Sequence, residues 1–208
     1  MASLGQAKTL GGVGSILVLL SPIPYAGAVL AIVGFIMILI AVKYIADVLG
    51  DQKIFNNMII SVVLAIIGIV VGVVVVLGAV YSLIGLGGYT YTPGSTTLPT
   101  GFSAVFASII AGLIVIWIFY LVASIFLKRS YDSISTRLNV GMFHTTGLLY
   151  LIGAATAIIL VGFIILFIAE ILQIVAFFSL PEQMPMGPQP MPGQMGAPPP
   201  PGTMQHQA

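Results

Sequence analysis

The chain has 208 residues, of which 59% are hydrophobic and only 5% are charged, with a formal net charge of +1 and no cysteine. A soluble domain carries about 25% charged residues, so this composition cannot cover a soluble surface. The small net charge argues against nucleic-acid binding. The lack of cysteine excludes disulfides, thiolate catalysis and cysteine-based metal or redox sites.

Long uncharged stretches separate the eleven charged residues. A bilayer span needs about 20 apolar residues with every backbone polar group bonded internally, a demand that helices meet. The runs are uniformly apolar, whereas the strands of membrane barrels alternate apolar and polar residues. We therefore predict an all-α, polytopic transmembrane helical bundle. It has about five membrane segments, at residues 4–20, 25–45, 58–84, 102–127 and 148–172.

The first two segments are predicted to form a helical hairpin. Pro22 and Pro24 interrupt the uncharged run 9–42, because proline removes a backbone donor and disfavours helix in the residue before it. A secretory signal peptide cleaved near residues 26–28 is the alternative. Cleavage there would leave another apolar segment at the new N-terminus, so the hairpin is the better interpretation.

The stretch 128–147 is the most polar internal part of the chain. Tyr131, Ile134, Leu138 and Met142 recur on one helical face, which predicts a short amphipathic helix on the membrane surface. Its basic residues would then reach lipid phosphates.

The C-terminal 28 residues differ from the rest. From residue 181 onward the chain holds nine of its thirteen prolines and five of its nine methionines, a composition that cannot bury a core. We predict a transmembrane domain at 1–180 and a disordered tail at 181–208. The tail methionines with His206 are soft donors for Cu(I), but low-complexity sequence explains them better.

Basic residues indicate the orientation. They concentrate in the loops 43–53 and 128–137, whereas 85–101 has none. Since Lys and Arg favour cytoplasmic loops, both basic loops and the N-terminus are predicted to be cytoplasmic. With five spans the tail would be extracellular, in a multi-pass protein of the plasma membrane.

Small residues at four-residue spacing mark two helix faces, Gly68 with Gly72 and Ala107 with Ala111. Such faces let membrane helices approach closely. They suit either self-association or packing within one subunit, and the second is the commoner use.

Glu170 is the only acid inside an apolar span, and an ionisable group at that depth suggests a functional site. Its place near the end of the predicted fifth span, three residues before Gln173, favours contact with interfacial water over a proton or cation role. His144 is expected to be a lone interfacial histidine.

Catalytic motifs are missing from the sequence. It has no phosphate-binding loop, zinc helix motif or nucleophile elbow. No pair of polar groups at matching depth suggests intramembrane catalysis. We predict that the protein is not an enzyme and uses no cofactor or metal.

Five short segments resemble the archaeal membrane family called domain of unknown function 996. They are Lys8-Thr9-Leu10-Gly11-Gly12, Ile54-Phe55-Asn56-Asn57, Lys128 to Ile134, Gly141-Met142-Phe143 and Ala176 to Pro181. The resemblance implies an archaeal plasma-membrane protein and supplies no activity.

Two functions remain open on the sequence. The first is a non-enzymatic membrane scaffold or accessory subunit, with the lipid bilayer, other membrane proteins or further copies of the chain as partners. The alternative is a small transporter or channel, which would need a polar path between the helices.

Overall fold

The computed structural model describes residues 3–85 and 102–182, and within these ranges the fold is entirely helical. The elements are α1 (Leu4–Leu19), α2 (Gly27–Leu49), α3 (Gln52–Gly85), α4 (Phe102–Leu138), α5 (Gly141–Thr156) and α6 (Val161–Phe178), with a 3-10 turn at Ala157–Ile159. The predicted all-α fold is confirmed. Five of these helices, α2 to α6, are long and apolar enough to cross a membrane, whereas α1 is shorter.

The predicted segments and the observed helices differ most at the predicted fifth segment, 148–172. The structure reverses direction inside it, because α5 ends at Thr156 and α6 begins after Leu160, which has a left-handed φ of 63°. The turn contains neither glycine nor proline, so hydrophobic pattern gave no sign of it. The two helices approach closely at Gly153 and Gly162, where a Cβ on Gly162 would lie 2.3 Å from the Gly153 oxygen.

The predicted amphipathic surface helix is also wrong. Helix α4 continues without interruption to Leu138, and Asn139 with φ 54° makes the turn into α5. Tyr131 and Ile134 are fully buried and Leu138 is 3% exposed. The apolar face that the sequence assigned to lipid therefore packs inside the protein.

The six helices run alternately up and down. Their contacts are antiparallel: Gly14 meets Gly34 between α1 and α2, and Gly72 meets Gly112 between α3 and α4. The starts of α1, α3 and α5 and the ends of α2, α4 and α6 therefore lie together. Ten of the eleven charged residues are in or beside these segments, which we call the charged end.

The chain enters and leaves the bundle at the charged end. Leu4 and Leu180 belong to one buried cluster there, together with Ile45, Phe143 and Phe177. The turn after Thr156 adds one reversal to the five predicted spans, which brings Leu4 and Leu180 to the same end of the bundle. The predicted sides of the membrane for the N-terminus and the tail stay a prediction. The predicted tail disorder concerns residues 183–208, outside the described residues.

Helices α3 and α4 are much longer than the others. At 1.5 Å per residue, their 34 and 37 residues extend about 51 and 55 Å, whereas the 16 residues of α1 and of α5 extend about 24 Å. Beyond Gly72, no α3 residue with a described side chain is buried. Between Ser103 and Ile116 in α4, Gly112 alone is buried among the residues whose burial the structure describes. We call residues 73–85 and 102–116 the two-helix arm, and the remainder the six-helix bundle.

Candidate functional site: a cavity around Glu170

A partly open cavity of about 190 Å³ lies among the helices of the six-helix bundle, and all six helices contribute to its wall. Most of the wall is apolar, with Phe35 and Ile38 from α2 and Val62 from α3. The polar side chains in the wall are those of Ser61, Tyr120, Ser124, Tyr131, Tyr150, Glu170 and Gln173. A mostly apolar pocket with a few convergent polar groups is typical of small-molecule sites.

Glu170 lies in the middle of α6, since that helix runs from Val161 to Phe178. The sequence placed it near the end of a longer span, in reach of interfacial water. The turn after Thr156 changes this position, and the carboxyl lines the cavity. It forms no ion pair or hydrogen bond with any residue that the structure describes. Glu170 is partly exposed, but the wall around it is mainly apolar, and an uncompensated carboxylate is costly in such surroundings. This group is therefore the strongest functional candidate.

A chain of hydrogen bonds crosses the bundle between Glu170 and the charged end. The Tyr131 hydroxyl donates to Gln173 Oε1 at 2.9 Å, and Gln173 Nε2 donates to Ser15 Oγ at 2.9 Å. Ser15 Oγ then donates to the Gly11 carbonyl at 2.8 Å. All three side chains are buried, and they join α4, α6 and α1. We call Tyr131, Gln173 and Ser15 the buried relay.

Sequence reasoning missed the buried relay. Gln173 follows Glu170 by three residues, so both occupy one face of a helix, and this was the available signal. Nothing in the sequence paired that face with Tyr131, which was assigned to the membrane surface. The partner could be recognised only once α4 was known to continue through residue 131.

The small-residue faces have different roles. A Cβ on Gly68 would lie 2.4 Å from Phe119 Cβ, and one on Gly72 would lie 2.2 Å from Ile116 Cγ1. Both glycines therefore serve the contact between α3 and α4 within one chain. Ala107 and Ala111 are exposed on the arm. Their predicted role in helix packing stays a prediction.

Polar contacts at the charged end occur both within α4 and between α4 and its neighbours in space. Asp132 lies 2.5 Å from Lys128 Nζ and 2.8 Å from His144 Nδ1, and Arg137 pairs with Asp51 at 3.1 Å. His144 thus has a carboxylate neighbour that the sequence did not indicate. These groups are partly exposed, and exposed pairs contribute little to stability.

No group of three or more His, Cys, Asp or Glu side chains suited to a metal ion occurs among the described residues. The methionines of the tail and His206 lie outside them. The prediction that the protein uses no metal or cofactor therefore stays a prediction.

Comparison with known proteins gives the family. The profile of the protein family of unknown function DUF996 matches residues 30–171. The chain is also 36% identical over 182 residues to the uncharacterized protein MJ1644 of Methanocaldococcus jannaschii, covering 87% of this chain and 95% of that protein. This chain belongs to the DUF996 family. No solved structure matches it.

The DUF996 match confirms the resemblance noted in the sequence, including the archaeal setting. It contains Glu170 and most of the cavity wall, but it ends before Gln173 and begins after Ser15. Neither the DUF996 description nor the name of the archaeal relative states an activity.

Proposed function

We propose that this DUF996 protein is a non-enzymatic membrane scaffold that inserts its six-helix bundle mainly into one leaflet of the bilayer. The proposal rests on one observation: the two-helix arm extends α3 and α4 well beyond the end of the six-helix bundle. Only α3 and α4 would cross the whole membrane. The hairpins α1–α2 and α5–α6 would enter from the charged end and turn back inside the hydrocarbon.

The depth of the α5–α6 hairpin follows from one contact. Trp117 Nε1 donates to the Ala154 carbonyl at 2.9 Å, so the end of α5 lies beside Trp117. Helix α4 continues from there to Phe102, another 15 residues or about 22 Å. The uncharged part of α4, residues 102–127, is long enough for the roughly 30 Å of hydrocarbon. If residues 102–127 fill the hydrocarbon, the hairpin would cover only part of that depth.

The arm is unsuited to water. Eight large apolar side chains on it are exposed, namely Val73, Val74, Leu77, Val80, Phe106, Ile110, Leu113 and Ile114. Burying one such side chain fully is worth about 1.5–3 kcal/mol, and these eight are between 37% and 63% exposed, so hydrating them would cost roughly 6–12 kcal/mol. That cost is comparable to the whole stability of a typical protein. Hydrocarbon around the arm removes it.

The tips of the hairpins are suited to hydrocarbon too. Ile158, Ile159 and Leu160 are 61%, 63% and 74% exposed, where a turn in water would carry polar residues. Lipid-exposed irregular backbone must satisfy its polar groups internally. The amide of Leu160 donates to the Ala157 carbonyl, and that of Phe163 donates to the Leu160 carbonyl.

Most backbone amides of the α1–α2 turn also have partners, and the exception is Tyr25, whose amide donates to no described residue. The amides of Ser21, Ile23 and Gly27 donate to nearby backbone carbonyls in the turn and at the end of α1. Pro22 and Pro24 have no amide hydrogen to satisfy. The prolines that mark this turn in the sequence thus also suit it to an apolar environment.

A scaffold of this shape would occupy more area in one leaflet than in the other. Six helices stand in the leaflet at the charged end and two in the opposite leaflet, which favours bending toward a convex charged side. All six Lys and Arg residues are at the charged end, and the preference of basic residues for the cytoplasm supports a cytoplasmic orientation in the plasma membrane.

Vesicle reconstitution tests the scaffold. The full chain is inserted into preformed phosphatidylcholine and phosphatidylglycerol vesicles at rising protein-to-lipid ratios, and vesicle shape is followed by electron microscopy. We expect narrow tubules or small vesicles with the charged end on the convex face, located by labelling Thr136→Cys. Vesicles that keep their shape at every ratio would contradict the proposal.

A small transporter is the second candidate, and the cavity around Glu170 favours it. Transporters place binding groups near the bilayer midplane, and Glu170, in the middle of α6, would lie at that depth if α6 crossed the whole bilayer. The same vesicles loaded with a pH-sensitive dye test for proton or cation flux. Flux that is absent from Glu170→Gln would support transport, whereas equal leak in both variants would argue against it.

A further inference from the structure

We infer that the cavity around Glu170 is a binding site for a small organic monocation, an alkylammonium ion. The inference is independent of the scaffold proposal, since it concerns the interior of the bundle and not its depth in the membrane. It rests on the charge, the wall and the size of the cavity.

In its ionised form Glu170 gives the cavity a negative charge that no described residue neutralises. Glu170 is the only charged residue in the wall. Lys128 and Arg137, whose side chains form ion pairs, do so with Asp132 and Asp51 at the charged end. A bound cation would supply the missing charge, whereas a bound anion would add a second one of the same sign.

The wall selects an organic cation over a metal ion. Divalent cations prefer several oxygen ligands, usually with more than one carboxylate, and Glu170 is the only carboxylate here. The rest of the surface is mainly aliphatic and aromatic. Phe35, Tyr120, Tyr131 and Tyr150 all contribute to it, and aromatic rings attract alkylammonium groups through cation–π interactions.

Two polar side chains of the wall, Tyr131 and Gln173, already form hydrogen bonds within the protein. The Tyr131 hydroxyl donates to Gln173, which in turn donates to Ser15, so these side chains give the cavity a fixed floor. The hydroxyls of Tyr120 and Tyr150 form no hydrogen bond with any residue in the described ranges. They remain able to accept N–H groups of the ligand beside the carboxylate.

The size of the cavity limits the ligand. A water molecule takes about 30 Å³ of liquid volume, so the 190 Å³ of the cavity corresponds to about six water molecules. Methylammonium and tetramethylammonium are small enough, whereas the cavity is below the roughly 300 Å³ expected for larger drug-like ligands.

Calorimetric titration of the full chain in lipid nanodiscs tests the inference. The probes are tetramethylammonium chloride and methylammonium chloride at constant ionic strength. We expect saturable binding of one ion per chain, weakened at least tenfold in Glu170→Gln and unchanged in Glu182→Gln, whose exposed carboxyl lies beyond α6. Tyr120→Phe, which keeps the ring, should weaken methylammonium more than tetramethylammonium because only the former can donate to the lost hydroxyl.

Three results would overturn the inference. The first is an absence of saturable binding by both probes to the wild-type chain. The second is equal binding of tert-butanol, a neutral molecule of similar size, which would indicate a merely apolar cavity. The third is equal or tighter binding of sodium at the same site. Circular dichroism and elution volume of Glu170→Gln establish that the variant is folded, and the tert-butanol comparison needs no variant at all.

Discussion

The indole Nε1 of Trp117 donates a hydrogen bond to the Ala154 carbonyl at 2.9 Å, which places the end of α5 beside the middle of α4. Trp117 is the only tryptophan in the chain, so its depth reports directly on the depth of the α5–α6 hairpin. If the hairpin turns inside the hydrocarbon, this indole lies near the middle of the bilayer.

Quenching of the native fluorescence by brominated phosphatidylcholines measures that depth. We expect the strongest quenching from bromine near the ends of the acyl chains and the weakest from bromine near the headgroups. Trp117→Phe is the blank. The opposite order would place Trp117 at an interface and the hairpin across the whole membrane.

The tip of the hairpin gives a second prediction. Lysine at the centre of a bilayer costs about 2.5–3.5 kcal/mol, so Leu160→Lys should destabilise the protein by roughly that amount. Thr136→Lys, at an exposed α4 position of the charged end, should change the free energy of unfolding by less than about 0.5 kcal/mol. Steric trapping in bicelles measures both, and similar values for the two variants would mean that the tip is in water.

The absence of cysteine from the chain makes a third prediction simple to test. Single cysteines replace Ile23, Ile159, Tyr81 or Thr136 in otherwise native protein in sealed vesicles. A membrane-impermeant maleimide should label Thr136→Cys from one side and Tyr81→Cys from the other, and it should leave both hairpin positions unlabelled. Labelling of Ile23→Cys or Ile159→Cys on the same side as Tyr81→Cys would show that the hairpins cross.

Much of the bundle could be predicted from the sequence, because uncharged runs long enough to span a bilayer leave few alternatives to helix. The α1–α2 turn was visible since Pro22 and Pro24 interrupt helix formation locally. The turn at Ala157–Ile159 was not, because it is built from apolar residues and stabilised by the contact of Gly153 with Gly162. Hydrophobic pattern cannot distinguish a long span from two short helices joined by an apolar turn.

Only part of the candidate site could be predicted from the sequence, because its geometry depends on the unpredicted turn between α5 and α6. Glu170 stood out as the one acid in an apolar run, but its position in the membrane depended on where α6 begins. Tyr131 was assigned to lipid because a helical apolar face looks the same whether it meets lipid or protein. Its burial against α6 depends on tertiary packing, which the helical periodicity of the sequence does not predict.

The small-residue face of α3 leads to a fourth prediction. A methyl group at Gly72 would lie 2.2 Å from Ile116, whereas one at Gly78 would have nothing within 4 Å. Both positions are inside a helix, so alanine gains similar helix propensity at each. We expect Gly72→Ala to be less stable than Gly78→Ala by about 1–3 kcal/mol, measured on the monomer. A change in oligomeric state without loss of monomer stability would instead favour self-association through this face.

The buried relay supplies the last prediction. Tyr131→Phe removes the donor to Gln173, and Gln173→Leu removes the acceptor of the Tyr131 hydroxyl. Each change leaves a buried polar group without its partner and should cost about 1–2 kcal/mol. The double variant should cost less than the sum of the two, because both partners are then apolar.

The exposed Tyr81→Phe is the matched control and should be neutral, as its side chain is 70% exposed. Additive effects in the double variant would show that the two side chains do not act together. Coupling between them would mean that α4 and α6 are joined just below Glu170. The position of the Glu170 carboxyl would then depend on the hydrogen bond between Tyr131 and Gln173. Gln173 lies outside the DUF996 match, which ends at residue 171.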